Sequence, residues 1–202
     1  MTAPHLLPPP EAIVAVQRLL EKFDNAGVIV GGVAVGMHSP PRATADVDAV
    51  TTVELDRIKE FIAAAKIEGI TIRQDDAENF ARKNLVLLLV HKPTQVMIDI
   101  SFGVLPFEKE MVARSVEKQI GEINIRVPTP EDLIVMKTVA HRSKDWRDIA
   151  VIIESNPNLD KKRIASWVKQ FAEVLEMPEL WDDLSKMLEP KKTTRTKSRK
   201  RR

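Results

Sequence analysis

Residues 31–48 read GGVAVGMHSPPRATADVD, and the reading of this stretch decides the fold. Gly31 and Gly32 follow a short β-branched run, Val28-Ile29-Val30. An apolar segment and a loop broken by Pro40 and Pro41 then lead to Asp46 and Asp48, one valine apart. Side chains two apart on a strand point the same way, so a strand over 45–52 places both carboxylates on one face. Paired carboxylates repel each other, and a divalent cation is the usual compensation. A third acid stands in a similar apolar run, Val96-Met97-Ile98-Asp99-Ile100. If its strand lies beside the first, Asp46, Asp48 and Asp99 are a ligand set for two Mg2+ ions, one on a triphosphate and one on an attacking hydroxyl. Asp99, on the acceptor side, is then also the candidate general base.

Gly31 and Gly32 suit the other half of that chemistry. Backbone without side chains lets phosphate oxygens approach, and N–H groups at a helix start donate to them. Arg42 and Lys137 are the cationic candidates for the phosphates. The glycines are neither a GxxxxGK[ST] loop nor a GxGxxG fingerprint.

Outward from this stretch, the hydrophobic spacing predicts a helix over 11–24 with Ile13, Val16, Leu20 and Phe23 on one stripe. It follows a loose leader blocked by Pro8, Pro9 and Pro10. A short helix is expected over 33–38, a long one over 54–68, and a short strand over 70–73. Residues 75–84 are polar and undecided. Strands over 85–90 and 95–101 read as a hairpin, the first apolar enough to be central. Residues 104–119 are also undecided, and Ile123, Ile125 and Val127 alternate as a last strand. Pro128-Thr129-Pro130-Glu131 opens a run of helices at about 130–142, 145–155, 160–176 and 179–188. The division is therefore an α/β core with its N-terminal helix over 1–127, a helical region over 128–190, and a basic tail over 191–202.

The totals bound the rest. The chain has 202 residues, 44% hydrophobic, and no cysteine. That excludes disulfides, thiolate ligands and cysteine nucleophiles, and suits a reducing, cytoplasmic setting. No stretch is apolar enough to cross a membrane, and residues 1–10 do not read as a signal peptide. The net charge of +2 conceals an asymmetry, because residues 191–202 hold eight basic groups and no acid. The other residues carry 23 basic against 29 acidic groups. The tail is expected to be disordered. It could steer a polyanion, although no aromatic residue interleaves its charges.

The pattern of Gly-Gly, then Asp-x-Asp between apolar residues, then a lone Asp on a strand resembles the polymerase-beta-type nucleotidyltransferase superfamily. Within it the chain is most similar to the minimal bacterial group of AbiEii-like toxin nucleotidyltransferases. The resemblance is carried by GGVAV, His38, RATADVD, VMIDI, TPEDLIVMK and RSKDWRDI, and spans about residues 25–155. It implies an α+β nucleotidyltransferase fold, a twisted mixed sheet with helices, followed by a helical C-terminal region. It implies that Gly31 and Gly32 hold the triphosphate, that Asp46, Asp48 and Asp99 bind metal, and that Lys137 contacts the nucleotide. Arg42 and Thr44 match the arginine and threonine preceding the acids, and Asp148 an acid of the late helical motif.

Lys144 and Asp148 are four residues apart on a predicted helix, so they form either an ordinary surface ion pair or part of the nucleotide cleft. Trp146 reads as packing in the helical region, and the four histidines do not form a zinc site. The expected reaction moves NMP from an NTP to RNA such as tRNA, or to protein, and releases pyrophosphate. An antitoxin partner and a monomeric or homodimeric state go with it. A small-molecule acceptor of aminoglycoside type is one alternative, and a non-catalytic nucleic-acid or partner-binding module is another.

Overall fold

The computed structural model describes residues 6–189. The basic tail of the sequence reading therefore lies outside the described residues. The chain forms an α+β fold: a five-stranded mixed sheet, a two-stranded ribbon, and helices over both.

Helix α1 (Pro10–Glu21) starts on a proline, whose missing N–H costs nothing in the first turn. The expected stripe is its buried face: Ile13, Val16 and Leu20 are fully buried, as is Phe23 just beyond the helix. The leader is less loose than its prolines suggest, since Pro8 is buried and the Leu6 carbonyl accepts from the Thr44 N–H at 3.0 Å. Strand β1 (Gly27–Ile29) runs into helix α2 (Gly31–His38). Strand β2 (Val47–Thr51) follows, then a 3-10 turn at Leu55–Arg57 and helix α3 (Ile58–Ile67). Next come β3 (Ile70–Ile72), α4 (Ala77–Asn84), β4 (Val86–His91) and β5 (Val96–Phe102).

The sheet order is β1-β2-β5-β4-β3, with β2 and β5 parallel and the other pairs antiparallel. The apolar β4 is an inner strand, as expected, paired on both sides, and β5 takes the middle place. The strand carrying the third acid takes the middle because both its neighbours pair with it along nearly their whole length.

The two faces of the sheet differ. Val47, Ala49, Ile98, Ile100, Leu87 and Leu89 point to one side and are buried. On that side α1 and α3 pack, joined to the sheet by a chain of rings: Phe23–Phe61 at 5.0 Å and Phe61–Phe102 at 5.9 Å between centroids. Each such ring stabilises the fold by about 1.5–3 kcal/mol through burial. The other face carries Asp48, Val50, Asp99, Ser101 and Val86, and lines a cleft.

The undecided residues 104–119 supply α5 (Pro106–Ala113) and β6 (Val116–Ile120), which pairs with β7 (Ile123–Val127) around Gly121. Four helices complete the chain: α6 (Pro130–Ala140), α7 (Ser143–Ser155), α8 (Lys161–Val174) and α9 (Glu179–Leu188). Thr129 caps α6 by accepting from the Asp132 N–H at 3.3 Å, as the TPED sequence leads one to expect. The ring of His38, at the end of α2, donates through Nε2 to the Pro128 carbonyl at 2.7 Å. Burial foremost pushes its pKa below the usual value, so this histidine is a neutral strut between α2 and the start of α6. Among the described residues no helix is long and apolar enough to cross a membrane.

Candidate functional site

The cleft between the sheet and the C-terminal helices has a volume of about 570 Å3. It is built from three pieces of sequence far apart in the chain. The turn from β1 into α2 contributes Gly31 and Gly32. Strands β2 and β5, with the loop before β2, contribute the acids. The end of α6 and the start of α7 contribute the cations.

Asp48 and Asp99 are directly opposite each other in the parallel β2–β5 pair. Adjacent strands lie about 4.8 Å apart, so two carboxylates on one face at matched register are forced together. Asp46 lines the same cleft from one residue before β2, where it is exposed and accepts at Oδ1 from Thr44 Oγ1 at 2.8 Å. The Asp48 carboxylate takes no hydrogen bond or ion pair among the described residues. Burial above all, then the charges of Asp46 and Asp99, push its pKa above the usual carboxylate range, against the pull of Lys144 and Arg142. Asp99 is also raised by burial, opposed by Arg73, whose guanidinium pairs with its Oδ1.

The glycines are demanded by close approach. Gly31 has φ +62°, and a Cβ there would fall inside the Asp48 carboxylate. A Cβ on Gly32 would lie 2.6 Å from both Cβ and Oγ1 of Thr44. The left-handed backbone alone costs a non-glycine residue about 1–2 kcal/mol. Gly31→Ala is therefore expected to displace Asp48, lower the melting temperature, and remove NTP binding measured by calorimetry. An alanine variant with wild-type binding would show that the close approach has no role.

The cations depart from the sequence reading. Lys137 lines the cleft but is only 5% exposed, and its Nζ donates to Asp145 Oδ1 at 3.1 Å and Asp148 Oδ2 at 2.7 Å. Arg42 also lines the cleft, and its guanidinium is engaged there. Its Nε and second terminal nitrogen hold Asp148 at 2.7 and 2.9 Å, across 106 residues of sequence. Arg142 Nε binds Asp145 Oδ2 at 2.6 Å. Burial would raise the carboxyls of Asp145 and Asp148, but these bonds outweigh it and hold both below the usual range.

Of the two readings of Lys144 and Asp148, the ion pair does not form, and of the cleft reading only Lys144 lines the cleft, because Asp148 turns inward to Lys137 and Arg42. Lys144 is exposed, lines the cleft, and makes no ion pair among the described residues. Trp146 packs edge-on against His141 at 5.5 Å, against the helical core, as expected.

Three participants escaped the sequence reading of the site. Arg142 and Asp145 flank Lys144 in the late motif, and their neighbourhood was the available signal. Arg73 carried none. It follows β3, and its N–H bonds the Leu88 carbonyl, so only the sheet register brings it across Leu88 to Asp99.

Hard oxygen donors without a balancing cation suit a divalent metal ion. The register of Asp48 and Asp99, the nearby Asp46 and the absence of a direct partner for the Asp48 carboxylate among the described residues fit such an ion chemically. The present side-chain orientations are not a formed site: among the described residues no three acidic, histidine or cysteine side chains converge on one point. Asp46 turns to Thr44 and Asp99 to Arg73.

A family model described as nucleotidyl transferase AbiEii toxin, type IV toxin–antitoxin system, matches residues 15–202. No curated protein matches the chain. Among solved structures, the antibiotic-resistance factor ANT(2'')-Ia superposes with a TM-score of 0.55 at 13% identity, over 87% of this chain and 98% of that one. An antigenic nucleotidyltransferase-like protein from Paracoccidioides brasiliensis superposes with a TM-score of 0.55 at 17% identity, over 88% and 91%. At these identities the two structures speak to the fold, which is that of a nucleotidyltransferase.

Proposed function

Since the chain belongs to the AbiEii nucleotidyl transferase toxin family, and is thus a nucleotidyltransferase, we propose that its cleft transfers NMP from an NTP to a hydroxyl of an RNA acceptor such as tRNA. The acceptor oxygen attacks the α-phosphorus, the bond to the β-phosphate oxygen breaks, and pyrophosphate leaves. The observation that carries this reading is the matched register of Asp48 and Asp99 beside Gly31, facing cationic helices across one cleft.

Each residue has a role that its position supports. The Gly31-Gly32 turn, at the start of α2, offers backbone N–H groups to the triphosphate. Lys144 supplies an exposed charge for the phosphates. Lys137 has a third N–H beyond the two bound by Asp145 and Asp148. The group of Arg42, Lys137 and Arg142 against Asp145 and Asp148 keeps one net positive charge toward the nucleotide. Thr44 orients Asp46. Asp99, raised by burial despite Arg73, accepts the proton of the attacking hydroxyl. Mg2+ held by Asp46, Asp48 and Asp99 would supply charge neutralisation at the triphosphate. The toxin–antitoxin setting of the family supports an antitoxin counterpart for this chain.

Calorimetric titration with Mg2+ and each NTP tests the nucleotide half. Lys144→Ala is expected to weaken NTP binding about tenfold, in line with losing one charge-assisted contact of roughly 1.5 kcal/mol. Its stability should be unchanged, since Lys144 has no partner to abandon among the described residues. Equal affinity in the variant would remove Lys144 from the phosphate site. No NTP binding by the wild type would favour a non-catalytic binding module.

A further inference from the structure

The segment between β3 and β4 builds a second hollow of about 480 Å3, within the roughly 300–1,000 Å3 range of ligand pockets. Gln74, Asn79, Phe80, Lys83 and Asn84 line it. Phe80 is unusual in this chain. Of six phenylalanines and three tryptophans, it alone is neither in the hydrophobic core nor packed against it. It is half-buried and makes no ring–ring contact, whereas Phe23, Phe61, Phe102, Phe107 and Phe171 all do. An aromatic ring that neither enters the core nor meets another ring leaves part of its surface for a ligand.

The surroundings suit a nucleobase. Three carboxamides line the same hollow, and carboxamides present both donors and acceptors to base edges. Asn79 donates one N–H to Asp76 Oδ1 at 2.7 Å, and Asn84 one to the Phe80 carbonyl at 2.9 Å, which fixes both side chains and leaves their carbonyl oxygens free of hydrogen bonds among the described residues. The Gln74 amide has no partner among the described residues. Lys83 adds a cation for a backbone phosphate. Asp75 and Asp76 also line the hollow, and Asp76 accepts the hydrogen bond that orients Asn79.

The segment that builds the hollow meets residues of the cleft at both of its ends in the sequence. Gln74 follows Arg73, whose guanidinium holds Asp99. Asn84 precedes Leu85 and Val86, and Val86 lines the cleft beside Ser101 of β5. The bend at Leu85 is fixed by a left-handed backbone, φ 56°.

We propose that this hollow is the acceptor subsite, taking a single-stranded RNA base at or next to the reacting end, stacked on Phe80, with the phosphate on Lys83 and Arg73 and the hydroxyl delivered to Asp99. This rests on the reading of the cleft as a site of NMP transfer to RNA. Arg73 then serves both chains, balancing Asp99 before the acceptor arrives and meeting its phosphate afterwards.

The test uses the full chain and a fluorescein-labelled single-stranded RNA with a free 3′ hydroxyl, read by anisotropy and by the KM of NMP transfer. Phe80→Leu keeps an apolar side chain without a π face and is expected to weaken RNA binding about tenfold or more, as loss of one base stack does. Phe80→Trp should retain binding. Both should bind NTP as the wild type does. Wild-type RNA affinity and KM in Phe80→Leu, with transfer to RNA intact, would overturn the subsite while leaving the cleft reading standing. Absence of wild-type transfer to RNA would overturn both. Binding of an aminoglycoside that Phe80→Leu abolishes, without RNA binding, would assign the hollow to a cationic sugar and overturn the proposal.

Discussion

Lys137→Met is expected to destabilise the protein by about 3–5 kcal/mol, the usual cost of removing one partner from a buried ion pair. Methionine preserves most of the stem, so packing loss is small. What remains is Asp145 and Asp148, 0% and 2% exposed, facing each other without the ammonium between them. Arg42 and Arg142 still hold one side of each carboxylate, and they set the lower part of the range. Urea denaturation at pH 7 measures this directly. A loss under about 1 kcal/mol would mean that Lys137 belongs to the nucleotide rather than to the frame.

The same carboxylates give the frame a pH dependence. Asp145 and Asp148 have folded values below their unfolded values, so their ionisation favours the folded state. That contribution is fully present above about pH 5. It is lost as pH falls past the unfolded carboxylate value of about 3.9 and through the lower folded one. Wild-type stability should therefore drop steeply below about pH 4, and the Lys137→Met variant should show a shallower fall.

Asp48→Asn is the opposite case. Transfer should fall by about a thousandfold or more, as when a group preorganised for transition-state charge is removed. Stability should stay level or rise. The Asp48 carboxyl is raised in the folded state, first by burial and then by Asp46 and Asp99, so ionising it opposes folding. That penalty is absent below the unfolded value of about 3.9 and grows as pH rises through the folded one. The variant's advantage in melting temperature should accordingly be larger at pH 7 than at pH 4. Mg2+ should raise the melting temperature of the wild type and have little effect on the variant, since a ligand stabilises only the state that binds it. An Asp48→Asn protein that unfolds at pH 7 would show the acid to be structural.

The sequence made much of the cleft legible because its parts are local. Gly31-Gly32, the Asp-x-Asp spacing and the apolar flanks of Asp99 are short patterns, and together they led to the family that residues 15–202 match. The helices with a strong stripe, such as α1 and α3, were equally readable. What stayed hidden depends on the third dimension. Periodicity cannot say which of the inner strands takes the middle, because that follows from pairing. It cannot show that Asp148 turns away from Lys144, four residues back, toward Arg42, 106 residues away. Nor can it give Arg73 a role, since Arg73 reaches Asp99 only through the register of three strands. Helix α4 was undecided because only Ala77 and Ala81 are buried on it, too small a stripe to register as a period.

The most direct measurement is transfer of label from each α-32P-NTP with Mg2+, offering total tRNA and a panel of aminoglycosides in parallel, with Asp48→Asn as the control. The expected result is label on RNA that the variant does not produce. Label on an aminoglycoside alone would keep the enzyme and change its substrate. No label on any acceptor, together with no NTP binding by calorimetry, would contradict the account of Asp46, Asp48 and Asp99 as a catalytic set.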